Sequence, residues 1–158
     1  MESKPRSESE ANPPGPTCKV PPTAKPDADG AQVLKLVQAF CDAMAADNPE
    51  ACRALFAPAS QFTAVRPSPQ GFTIQRRSME EFSPPPGKVL ERLWHPTVLV
   101  AGRLAVVWAP YDFHVNGRFT HNGTDVFTLM KCDSDWRIIN LAYTVEPAPP
   151  TRHPAGPP

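Results

Sequence analysis

The sequence predicts an α+β protein: a short helical N-terminal part followed by an antiparallel sheet. Three observations carry this. An apolar stripe of helical period runs through residues 29–46, and a second helix start follows within two residues. Beyond residue 87 come four long strand-like runs, VLERLWHPTVLVAGR, LAVVWAPYDFHVNGR, FTHNGTDVFTLMKC and WRIINLAYTVE. Short turns divide them and no helix-length pattern intervenes, so the strands should pair antiparallel.

In the first segment, DGAQVLKLVQAFCDAMAA, Val33, Leu36, Val37, Phe40, Cys41 and Met44 recur at three- and four-residue steps, and Asp29 is placed to cap the helix. The next segment, DNPEACRALFAPAS, has Asn48 as cap, Pro49 at the first helical position and Glu50 in the first turn. Its apolar side is Ala51, Leu55 and Phe56, and Pro58 ends it. Two helices joined so closely form an antiparallel hairpin. QFTAVRP and GFTIQRR alternate as short strands around a PSPQG loop. Ser78 with Glu81 matches a capping box for a brief third helix, which Pro84 to Pro86 terminate.

The chain has 158 residues, and 16 basic side chains balance 16 acidic ones. A protein built to grip phosphate backbones would show a basic excess, so nucleic acid is not an expected partner. No window approaches about 18 consecutive apolar residues, so no membrane-spanning helix is expected. Of the 22 prolines, Pro5, Pro13, Pro14, Pro16, Pro21, Pro22 and Pro26 crowd into residues 1–27 among Ser, Glu and Lys. That segment buries too little apolar surface to order itself, and the Pro-rich stretch 147–158 reads likewise. The domain should therefore occupy residues 28–146 between two disordered tails. The opening MESKPRSESE has neither a secretory apolar run nor an Arg-rich transit pattern, giving a cytoplasmic expectation. Cys18, Cys41, Cys52 and Cys132 form no CxxC and no metal-ligand spacing with histidine, so reduced thiols and no metal are expected. The eight glycines are spread singly, without a phosphate-cradling loop.

The stretch FHVNGRFTHNGTDVFTLM holds the chemistry. With Asn116-Gly117 as a two-residue type I′ turn, Val115 faces Arg118 and Asp112 meets His121. With a three-residue loop, Tyr111 meets His121 and Phe113 meets Phe119. In either register His121, Asp125, Phe127 and Leu129 share one face, because strand periodicity is two. The other face would carry Thr120, Asn122, Thr124, Val126, Thr128 and Met130, with Tyr111 and Phe113 as further candidates.

The order of these parts resembles the nuclear transport factor 2-like (NTF2-like) superfamily, nearest to SnoaL-like polyketide cyclases and ketosteroid isomerases. MAADNPEACRALFAPASQF resembles that family's first two helices. TDVFTLMKCDSDWRIINLAYTV resembles its last two strands, with Asp135-Trp136-Arg137-Ile138 at their hairpin. The resemblance covers nearly all of residues 30–146. It implies a cone: a strongly curved sheet packed on the helix hairpin and the short third helix, an apolar pocket inside, and a homodimer through the outer sheet face. The position matching Asp125 is, in the isomerases, a carboxyl kept protonated to donate to a developing oxyanion. The isomerase tyrosine falls at Phe40 and its base aspartate near Ala64, so that enzyme's mechanism does not carry over.

The expected catalytic groups are His121, Asp125 and Tyr111. The expected pocket walls are Phe40, Trp94, Trp108, Asp112, His114, Phe127 and Tyr143. Two functions remain open: a cofactor-free lyase, isomerase or cyclase acting on a small hydrophobic carbonyl compound, or a non-catalytic module for ligand binding or dimerisation.

Overall fold

The computed structural model describes residues 27–146 and 153–158; the rest of both expected tails, with Cys18, lies outside the described residues. Helix α1 spans Ala28–Ala45, and its cap is Asp27 rather than Asp29: the Asp27 carboxylate accepts from Gly30 N at 2.8 Å. Asp29, in the first turn, instead accepts from Lys131 Nζ at 2.6 Å and from Trp136 Nε1 at 3.3 Å, tying the helix start to the last hairpin. Helix α2, Pro49–Ala54, is capped by Asn48, whose Oδ1 accepts from Ala51 N at 2.9 Å. It is shorter than its apolar pattern suggests. Phe56 leaves the helix and opens strand β1, Phe56–Ser68, with Pro58 inside an irregular stretch where Ala59 adopts φ 58°. The brief third helix is a single 3-10 turn, Met79–Glu81, with Ser78 Oγ accepting from Glu80 N.

The remaining strands are β2 (Gly71–Ser78), β3 (Val89–Leu93), β4 (Thr97–Ala101), β5 (Leu104–Val115), β6 (Arg118–Cys132) and β7 (Asp135–Thr144). The first long run is thus two strands, broken where His95 takes φ 46° before Pro96, and both pair with β5. The sheet order is β2-β1-β7-β6-β5-β3 with β4 also on β5. All pairings are antiparallel except β1 with β7, which makes the sheet mixed rather than purely antiparallel. The result is the expected α+β cone, a curved open sheet wrapped on α1.

The β5–β6 hairpin follows neither register in full. Asn116 and Gly117 have φ of 53° and 73°, the two left-handed positions of a type I′ turn, and Val115 opposes Arg118. One pair later Thr120 is an extra residue. Past this bulge Phe113 opposes His121, Tyr111 opposes Gly123 and Ala109 opposes Asp125. Tyr111 and Phe113 therefore face the core, not the outer surface. Val33, Val37, Phe40 and Met44 of α1 join Val107, Phe127, Leu129 and Ile138 of the sheet in one buried cluster. The Phe40 ring meets Phe56 at 5.4 Å and Phe127 at 6.1 Å, both edge-on. Each such side chain withdrawn from water contributes about 1.5–3 kcal/mol.

Candidate functional site

Between α1, the inner sheet face and the segment 79–85 lies a cavity of about 340 Å³. Its apolar wall includes Phe40, Met44, Phe62, Phe82 and Leu141. Its polar groups are Tyr111, His121, Asp125, Tyr143 and Glu91, with Arg66, Arg77 and Glu81 also on the wall. The sheet register sets this order. Glu91, Phe113 and His121 form one row across three strands, and Ala109, Asp125, Tyr143 and Ala64 form another.

The two carboxyls define the chemistry. Asp125 is 2 % exposed, and its Oδ2 has no hydrogen-bond partner among the described residues. Burial, reinforced by the nearby charge of Glu91, holds its proton well above the usual carboxylate range. Burial likewise raises Glu91, to about 7, although the Cys41 thiol 3.5 Å from Glu91 Oε1 works the other way. At neutral pH one carboxyl is an acid and the other stands half-ionised, a separation of roles that environment alone produces. Cys41 is itself pushed up by burial and by Glu91, so it is a thiol and not a nucleophile.

His121 stacks on Phe113, with centroids 4.9 Å apart and 22° between planes. Its Nδ1 lies 2.9 Å from Thr120 Oγ1, and that hydroxyl lies 3.0 Å from the Phe113 carbonyl. A hydroxyl has one proton, and the carbonyl can only accept it. Nδ1 must then donate to Thr120, which leaves Nε2 as the bare lone pair. Burial, with the charge of Arg66, lowers His121 to about 4, so the ring is neutral at pH 7. The bulge residue therefore both turns His121 inward and selects its tautomer.

Tyr111 and Tyr143 flank Asp125. The Tyr111 hydroxyl donates to Thr144 O at 2.7 Å, so its proton is already engaged, and burial raises it further from ionisation. Tyr143 accepts from Arg66 Nη2 at 3.4 Å, and the same guanidinium lies 5.9 Å from its ring.

His121, Asp125, Tyr111, Phe40 and Tyr143 thus meet around one cavity, and the other expected wall residues lie elsewhere. Trp108 is on the outer face, 45 % exposed. Trp94 sits edge-on to His153, centroids 5.2 Å apart, outside the cavity. Phe127 is fully buried behind Phe40 as core. Asp112 and His114, on the opposite parity of β5, belong to an outer network in which Arg92 clamps Asp112 through Nε at 2.9 Å and Nη2 at 2.5 Å. His114 Nε2 lies 3.3 Å from the same carboxylate. Burial disfavours the Asp112 charge, yet the guanidinium and imidazole hold its carboxyl below the usual range. Arg92 also donates to Gly156 O, bringing the C-terminal residues onto this network. Glu91 was not among the expected groups. Its signal was present as an acid between Val89 and Leu93 on the buried parity of a strand.

This architecture, a curved sheet closed by a helix around a pocket with inward carboxyls, is the NTF2-like, or cystatin-like, cone fold. Solved structures agree. A cystatin-like-fold protein of unknown function from Nostoc punctiforme superposes with a TM-score of 0.60 at 12% identity, covering 77% of this chain and 94% of its own. An NTF2-like superfamily protein from Salmonella enterica gives 0.57 at 19%, covering 77% and 93%. A candidate dehydratase of the NTF2-like family from Streptomyces avermitilis gives 0.59 at 18%, covering 78% and 100%. No protein-family model matches the sequence, and no curated protein does. No helix among the described residues is long and apolar enough to cross a membrane.

Proposed function

We propose that the cone binds a small apolar carbonyl compound and moves a proton beside its carbonyl without a cofactor. The observation that carries this is a pair of inward carboxyls, Asp125 buried and Glu91 partly buried, facing an apolar cavity with a neutral imidazole. A general base is most effective when its pKa lies near the working pH, as that of Glu91 does. Taking a proton from the carbon next to a carbonyl leaves an enolate, whose oxygen needs a donor that does not itself lose its proton. Asp125 in its acid form is such a donor. His121 Nε2 is a second acceptor in the same row as Glu91. This step is shared by isomerases, dehydratases and aldol-type cyclases, and a candidate dehydratase among the fold neighbours is in keeping with it.

The test is α-deuterium exchange of an enolisable aryl ketone in D₂O, followed by proton NMR. The protein should accelerate exchange, Glu91→Gln should slow it by about 10²–10⁴-fold, and Asp125→Asn by about 10²–10³-fold. Binding of the ketone without accelerated exchange would favour the non-catalytic ligand-binding module.

We further propose a homodimer through the outer sheet face. Leu99, Leu104, Trp108 and Met130 are 41–50 % exposed there and adjoin Val106, Val126 and Thr128 in the strand register. A charge at the centre of such a face opposes association, so Trp108→Glu should convert a dimer to monomer in analytical ultracentrifugation. A monomeric wild type would refute this.

A further inference from the structure

The cavity holds a cation that the proton chemistry above does not use. Arg66 lies on its wall, partly buried, on the same face of β1 as Phe62 and Ala64. Among the described residues no carboxylate pairs with it; its polar partner is the Tyr143 hydroxyl at the weak distance of 3.4 Å. Arg77 lines the same cavity from β2, opposite Phe62. Glu81 lies on that wall too, and Glu91, partly ionised at neutral pH, faces the same cavity, but neither pairs with Arg66. A guanidinium held partly out of water without a counter-ion is unfavourable, and it presents a planar fork suited to two oxygens of a carboxylate. Ala64, two residues before Arg66, opposes Tyr143, which opposes Asp125. The cation and the acid therefore lie on adjoining parts of one wall, with the rings of Phe40, Phe62 and Phe82 beside them.

We propose that the ligand is an amphipathic keto acid: a carboxylate held by Arg66, an apolar body on the phenylalanines, and a carbonyl oxygen at Asp125. This inference rests on the carbonyl-binding reading and specifies its substrate class. It also assigns Arg66 as a specificity-determining residue.

Calorimetric titration with benzoylpropionate and with its methyl ester, at low salt and neutral pH, separates the two ideas, because both compounds carry the ketone and only one the charge. The wild type should bind the acid about tenfold more tightly than the ester, the gain of one favourable ion pair. Arg66→Met keeps the packing on Tyr143 but removes the charge; it should bring the acid down to the affinity of the ester and leave the ester unchanged. Glu81→Gln changes an exposed side chain and leaves Arg66 in place; it should strengthen acid binding only. Equal affinity for acid and ester in the wild type, or a preference that survives Arg66→Met, overturns the inference while the carbonyl reading stands. Binding of neither compound overturns both.

Discussion

At Gly123, a Cβ would sit 2.1 Å from the Thr144 carbonyl oxygen, the atom that accepts the Tyr111 hydroxyl. The obstacle is backbone, so it cannot rotate aside. Gly123 is glycine for want of space beside that carbonyl, which lets the end of β7 approach β6 closely enough for Thr144 O to hold the Tyr111 hydroxyl. Gly123→Ala should destabilise the fold by about 1–3 kcal/mol, the range for an overpacked interior, read as a lower urea midpoint. It should also release Tyr111 from Thr144, seen as a change in its ultraviolet spectrum. Unchanged stability would mean the approach is looser than described. The same scale explains what could be read in the sequence. His121 and Asp125 share a face in any register because they are four residues apart on a strand. Trp108 was misplaced because both parities of β5 are apolar near it: Val107 and Ala109 face in, Trp108 and Pro110 face out. Hydrophobicity alone cannot choose between two apolar faces.

At the scale of elements, the β5–β6 hairpin fixes the site and is itself fixed by its turn. Asn116 holds φ 53°, its Oδ1 accepts from Lys88 N at 2.9 Å, and its own N–H donates to Lys88 O at 2.8 Å, so the turn also anchors the entry to β3 and hence Glu91. Asn116→Ala gives up one hydrogen bond and places alanine in a left-handed conformation. The expected loss is about 1–3 kcal/mol from those two effects together, measurable by chemical unfolding; Asn116→Gly, which relieves the backbone, should lose less. If the two variants were equal, backbone conformation would not be the source of the loss. The Asn-Gly pair made this turn legible from sequence. The Thr120 bulge carried no comparable sign, since an extra residue in a strand is specified by how the whole sheet closes. The parallel β1–β7 pairing was hidden for a related reason: it pairs residues such as Phe62 and Leu141, 79 positions apart in the chain, and no local pattern reports a partner so distant. Helices and hairpin turns are local properties and were read; partner choice is not.

For the whole molecule, the buried groups of the cavity make stability depend on pH, and their signs differ. Glu91 and Asp125 have folded pKa values raised above their unfolded ones. The folded chain binds protons there that the unfolded chain releases, so their contribution is full below the ordinary carboxylate range and is lost as pH rises through the folded values. His121 runs the other way: lowered from 6.5 to about 4, it contributes at neutral pH and loses that contribution as pH falls through this interval. Two carboxyls oppose one imidazole, and Asp125 is nearly fully buried where the imidazole is only partly so, so solvent screens the imidazole's share more than that of Asp125. The carboxyls should prevail. The wild type should be more stable at about pH 5.5 than at about pH 7.5, by on the order of 2–3 kcal/mol. Asp112, held low by Arg92, titrates below this window and leaves it undisturbed. With Glu91→Gln and Asp125→Asn combined, only His121 remains, and the sign should reverse, stability now falling on acidification by up to about 1 kcal/mol. Chemical unfolding of both proteins at the two pH values decides it. A wild type that weakens on acidification across this window would show that the carboxyls are ionised or solvated in the folded state. In the proposed reaction the same protons would serve, so deuterium exchange should grow with the ionised fraction of Glu91 as pH rises toward and past about 7, the range in which the fold is losing stability.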